Sequence, residues 1–193
     1  MKKFNRILSA EEIFARQVAL GVITTRPLTV WHYMIPFMFI FDFLRRSSII
    51  RQYTKHFMFP RKVAMESAQE IRDGEPREKA LLEAEKEIKA WLNSLNLYSE
   101  ALHLSQVEVV KLLIDHYDKL LSAQGETYDD LVRNVYFNRY NYETYLSQLT
   151  SAEKQVDKAM VESLGETEPL REKILAEQEQ VDKLRKKTVA RIF

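Results

Sequence analysis

Four histidines, His32, His56, His103 and His116, are the side chains in this sequence best suited to proton transfer or metal ligation near neutral pH. One stands in a spacing with chemical meaning. Glu100-x-x-His103 is the pair that di-iron helical bundles project inward from one helix face, but such a site needs a second Glu-x-x-His and two further glutamates. Leu113 precedes His116 by three positions and Lys119 follows it by three, so the second motif is missing. At 100° per residue, His103 and His116 also fall on separate faces of one helix. Nucleophilic chemistry has no better support. The chain has no cysteine, no serine in a Gly-x-Ser-x-Gly elbow, and only Gly21, Gly74, Gly125 and Gly165 from which a phosphate-cradling loop would have to be built. Asp129 and Asp130 sit where a helix begins and there favour the macrodipole rather than acid–base work. The expectation is a non-enzymatic protein, with no catalytic residue, no metal ligand and no cofactor implied.

The elements that must position any site are helical. Only 4 glycines and 5 prolines occur in 193 residues, too few for the reversals of a strand-rich fold. An all-α, elongated helical bundle with long amphipathic helices is expected, preceded by a hydrophobic, aromatic-rich helical module. Ser9-Ala-Glu-Glu12 reads as a capping box that starts a helix running to about Gly21. Residues 28–44 form the most apolar window, and Ser47-Ser48 can cap a following amphipathic helix over 49–59. Pro60 can open another helix at its first position. Apolar residues at a 3.6 period then predict helices over about 77–95 and 100–123. A single helix of up to 38 residues is expected from Thr127 through Leu164, with Thr150…Glu153 as a second capping box that would split it. A last helix over about 169–192 carries Ile174, Val181, Leu184 and Thr188 on a heptad-like seam, interrupted by Glu177.

The net charge of +1 conceals an asymmetry. Residues 1–62 carry eleven Lys and Arg against Glu11, Glu12 and Asp42, whereas residues 63–193 carry eighteen against twenty-five acids. The first segment also holds 11 of the 21 aromatic side chains. The expected division is therefore a basic, aromatic-rich module over 1–62 and an acidic amphipathic bundle over 63–193. A basic apolar end joined to an acidic body is the pattern of a protein that meets an anionic surface at one end.

Residues 28–44 are short for a membrane span, at about 25 Å of helix against a hydrocarbon core of about 30 Å. Pro36 stands at their midpoint and basic residues flank both ends. Both flanks on one face suit a kinked hairpin or an interfacial helix better than a crossing. The residues expected to touch the membrane are Trp31, Tyr33, Phe37, Phe39 and Phe41, with Arg45, Arg46, Arg51 and Lys55 on the headgroups. Against this, Asp42 is costly in hydrocarbon, and a run this short also suits the central buried helix of a soluble bundle.

A second unusual stretch spans 133–145, where Arg133, Tyr136, Phe137, Arg139 and Tyr140 could stack on nucleic acid bases. The acidic surroundings repel phosphates, so a protein partner or self-association through helices is expected instead, and no nucleic acid. Absence of cysteine and of a cleavable apolar leader points to the cytoplasm. The sequence thus predicts a helical adaptor or scaffold at the cytoplasmic face of an anionic membrane. The alternative is a soluble helical bundle whose 28–44 segment is a buried core or small-ligand pocket.

Overall fold

A computed structural model describes residues 2–23 and 38–193, and in the second stretch its side chains from residue 47 onward. Among the described residues there are seven helices and no strand: α1 (Lys2–Val22), α2 (Met38–Arg72), α3 (Arg77–Ser94), α4 (Glu100–Ser122), α5 (Tyr128–Tyr136), α6 (Arg139–Leu164) and α7 (Glu168–Ile192). The all-α expectation holds.

The central element is α4. Leu102, Val109, Val110, Leu113, Ile114, Tyr117 and Leu120 are buried on it, more than one face of a surface helix would require. α2 and α6 pack on opposite flanks of α4, α3 covers the α2–α4 seam, and α1 lies between α2 and α7. One apolar cluster runs through the molecule from Ile7 on α1, across Val63 and Met65 on α2, to Val189 and Ile192 on α7. Residue 62 therefore falls inside α2, whose second half belongs to this core.

Four elements differ from the sequence-based expectations. α1 begins at Lys2, so Ser9 lies inside the helix and caps nothing. Its first turns are held by tertiary contacts: Ile7 is fully buried, Lys3 Nζ donates to Ala123 O at 2.6 Å, and Arg6 reaches Gly125 O. α2 runs unbroken through Ser47, Ser48 and Pro60. Pro60 has no N–H for the carbonyl four residues earlier, and packing of Met58, Val63, Ala64 and Met65 on both sides keeps the helix continuous.

The long helix expected from Thr127 is instead two. Thr127 and Asp130 form a capping box at the start of α5, and Phe137 then takes φ 63°. Asn138 N donates to Tyr136 O at 2.7 Å across that residue, the hydrogen bond of a γ-turn. Asn138 caps α6 by accepting from Asn141 N at 2.9 Å. Continuity of the apolar stripe concealed the break, because the turn leaves Tyr136 and Tyr142 both facing the core. Thr150 and Glu153, in contrast, do not split α6.

α1 and α2 form an antiparallel pair, with Phe14 and Phe57 ring centroids 6.2 Å apart and Val22 beside Tyr53 and Phe57 in a second small cluster. The start of α1 lies beside the α4–α5 connection, and Arg72 at the end of α2 meets Asp118 and Ser122 at the same end of the molecule. The end of α1 and the beginning of α2 therefore share the opposite end. The fifteen α2 residues before Tyr53 amount to about 22 Å of helix. Their described side chains, from Ser47 to Gln52, include none in the core.

Candidate functional site

The most unusual chemistry lies inside the bundle, where four charged side chains from four helices meet. Glu11 comes from α1, Arg61 from α2, Glu153 from α6 and Arg185 from α7. Arg61 Nε approaches Glu11 Oε2 at 3.2 Å, and its Nη2 donates to Glu153 Oε1 at 3.2 Å. Arg185 holds Glu153 with two hydrogen bonds, Nη1 to Oε2 at 2.8 Å and Nη2 to Oε1 at 2.9 Å. Its Nη1 also donates to Thr150 Oγ1 at 2.6 Å. Arg61 and Arg185 are only 6% and 7% exposed. Two cations and two anions balance, as buried charges must.

The electrostatics follow from burial. Burial opposes the charge on Arg61, but Glu11 and Glu153 together outweigh it and hold the guanidinium protonated. At Glu11 the order reverses: burial raises its proton affinity above the ordinary carboxyl range despite the neighbouring Arg61. Tyr117 is fully buried near Glu11, yet its hydroxyl finds no hydrogen-bond partner of normal geometry among the described residues.

Around this network stands a cage of phenols and one imidazole. His116 Nδ1 and Tyr136 Oη are 2.7 Å apart, and the His116 ring stacks on Tyr145 at 4.4 Å. Burial, with a smaller contribution from Lys119, lowers the His116 pKa to about 3. Burial also pushes the Tyr142 hydroxyl up to about 12 and those of Tyr117, Tyr128 and Tyr145 well above their usual range. At neutral pH the imidazole and these phenols are uncharged.

The network forms a partition between two cavities, since Arg61 and Arg185 line both. One cavity, of about 380 Å³, is bounded by Glu11, Phe14, Tyr128, Tyr142, Tyr145 and Leu149. The other, of about 480 Å³, lies between α2, α3, α4, α6 and α7 and is bounded by Tyr53, Phe57, Trp91, Gln106, Asp157 and Glu177 among others.

No family model, curated protein or solved structure matches this chain.

Of the residues singled out from sequence, Trp31, Tyr33 and Phe37 lie outside the described residues, as do the side chains of Phe39, Phe41, Arg45 and Arg46. Arg51 and Lys55 are exposed on α2. In the second group, Phe137 and Tyr140 are 80% and 77% exposed. Arg139 bonds Glu143 at 2.8 Å, and Arg133 donates to Ile192 O at 2.8 Å. Tyr136 is buried, its hydroxyl 2.7 Å from His116 Nδ1. His103 is buried with Nε2 3.2 Å from Glu85 O. Among the described residues no group of three or more His, Asp or Glu converges on a metal position, and no helix is long and apolar enough to cross a membrane.

Proposed function

We propose that the protein is a non-enzymatic helical adaptor docked on the cytoplasmic face of an anionic membrane, with its bundle held off the surface to engage a protein partner. The observation that carries this is the antiparallel α1–α2 pair. The end of this pair where α1 stops and α2 begins adjoins, in sequence, the most apolar window of the chain, residues 28–44, and the following turns of α2 expose Ile49, Arg51 and Lys55. Basic side chains near an anionic surface contribute about 1 kcal/mol each, so several of them with an apolar insert suffice for stable attachment.

The alternative, in which residues 28–44 are the buried centre of the bundle, has less support. α4 already occupies the centre of the described core. At the end remote from the stop of α1 and the start of α2, Phe137 and Tyr140 offer an exposed aromatic surface on which a partner can seat, with Arg133 and Arg139 beside it.

Flotation with vesicles tests the assignment. The protein should rise with anionic vesicles at low salt, rise less with neutral ones, and be released as salt increases. Replacing Arg45, Arg46, Arg51 and Lys55 by glutamine should weaken binding at least tenfold. A protein that stays at the bottom of the gradient with anionic vesicles at low salt is not a membrane adaptor.

A further inference from the structure

The 480 Å³ cavity carries features that neither the core nor membrane docking requires. Its volume is in the range of small-molecule sites. One wall is aromatic: Tyr53 and Phe57 stack with centroids 6.1 Å apart, and Trp91 lies across from them on α3. The facing wall, from α6 and α7, is acidic. Glu153 is fully engaged by Arg61 and Arg185. Asp157 and Glu177 are not matched in this way. Asp157 accepts from Gln178 Nε2 at 2.8 Å, Glu177 lies beside the Tyr53 hydroxyl, and neither bridges to a cation among the described residues.

Gln106, on α4, also lines this cavity and is 7% exposed. One polar group here is unsatisfied. The Tyr53 hydroxyl is buried without a hydrogen bond of normal geometry. Buried polar groups are almost always paired, so an unsatisfied hydroxyl on a cavity that also holds two carboxylates without an ion-pair partner among the described residues needs an explanation.

We propose that this cavity binds a primary or secondary amine carrying an apolar body about the size of a phenylalkyl group. The ammonium N–H groups meet the carboxylates of Asp157 and Glu177 and the carbonyl of Gln106, which accept hydrogen bonds. The aromatic wall takes the apolar body and favours a nearby cation through its ring faces. Glu153, Asp157, Glu177, Glu179 and Asp182 line the cavity against Arg61, Lys154 and Arg185, so the net negative lining disfavours an anion, and a neutral apolar molecule leaves Asp157 and Glu177 without a counter-charge. An inorganic ion leaves most of the volume empty. Burial raises the proton affinity of both carboxyls and outweighs the opposing effects of Gln178 and Lys154 at Asp157 and of Tyr53 and Arg61 at Glu177.

The test is calorimetric titration of the full chain, free of lipid, with 4-phenylbutylamine, 4-phenylbutanol and 4-phenylbutyrate at neutral pH. The amine should bind saturably at one site, the alcohol at least tenfold more weakly, and the carboxylate not at all. Asp157→Asn with Glu177→Gln should weaken the amine at least tenfold while circular dichroism stays native. Asp157→Asn alone supplies the same comparison, with a smaller loss, if the double variant does not fold. Absence of saturable amine binding, equal binding of the alcohol, or undiminished binding by a folded variant each overturns the proposal. None of these readouts involves vesicles, so failure here leaves the membrane assignment untouched, and failure of flotation leaves this one.

Discussion

Arg185 holds Glu153 through two parallel hydrogen bonds, 2.8 and 2.9 Å long, deep between α6 and α7. The same carboxylate is shared with Arg61, which also meets Glu11, so the four charges form one chain of contacts linking α1, α2, α6 and α7. Removing one member leaves a surplus charge among largely buried groups, whereas removing Glu153 and Arg185 together leaves the neutral Glu11–Arg61 pair. Glu153→Leu or Arg185→Leu alone should each cost about 3 kcal/mol. The double variant should cost less than the sum, with a coupling of about 1–3 kcal/mol in a denaturant double-mutant cycle. Additive losses would mean that the four residues do not act as one network.

These residues were legible in the sequence, but only to a question that composition and motifs do not ask. Glu11 falls on the stripe of Ile7, Ala15 and Val18, Arg61 on that of Met58, Ala64, Met65 and Ala68, and Arg185 on that of Val181, Leu184, Val189 and Ile192. A charge standing on an apolar stripe of a helix must be paired inside. Two of each sign on four helices is the signature of an internal network. Instead Glu11 and Glu12 suggested a helix start and Thr150 with Glu153 a cap, because each local pattern has a common local meaning. Helix extents over 77–95, 100–123 and 169–192 were legible because Ser99 and Gly165, with the 3.6 period, mark their ends. The break at Phe137 was not, since a non-glycine residue at positive φ leaves no compositional trace.

His116 gives the fold an acid sensitivity that can be measured. Its folded-state pKa is lowered to about 3 by burial, while in the unfolded chain it titrates near 6.5. A lowered value contributes stability that is complete above the unfolded pKa and lost as pH falls toward the folded one. The groups facing it are Lys119 on its own helix and the neutral phenols of Tyr136 and Tyr145. The wild type should lose roughly 1.4 kcal/mol per pH unit below 6.5 relative to His116→Gln. Denaturant unfolding of both proteins at pH 7, 6 and 5 measures it, and parallel pH profiles would exclude His116 as the source.

Phe137 is held at φ 63° with its ring 80% exposed, so the strained position is not compensated by burial of its side chain. Glycine takes that conformation without strain. Phe137→Gly should therefore leave stability unchanged or raise it by about 1 kcal/mol. An exposed aromatic maintained on a strained turn is worth keeping only for what its ring contacts. If a partner seats there, Phe137→Gly should lose that partner while gaining in melting temperature, whereas a loss of stability would place the Phe137 ring among the fold's own contacts.

The two carboxylates that lack an ion pair at the cavity between α2, α6 and α7 should also be visible in the stability of the free protein. Burial raises the pKa of both Asp157 and Glu177. Groups shifted upward cost nothing below their unfolded values, where both states are protonated, and their penalty grows as pH rises through the folded values. Asp157→Asn with Glu177→Gln should then match the wild type near pH 3, below both unfolded values, and melt above it at pH 7. A gain of about 2–4 °C corresponds to 1 kcal/mol in a chain of this size. Saturating 4-phenylbutylamine should raise the melting temperature of the wild type and leave that of the variant in place, because the ligand then has no charge to neutralise. A variant that melts lower than the wild type at pH 7 would show that both carboxylates are stabilised by partners of their own, and the cavity would have no need of a cation.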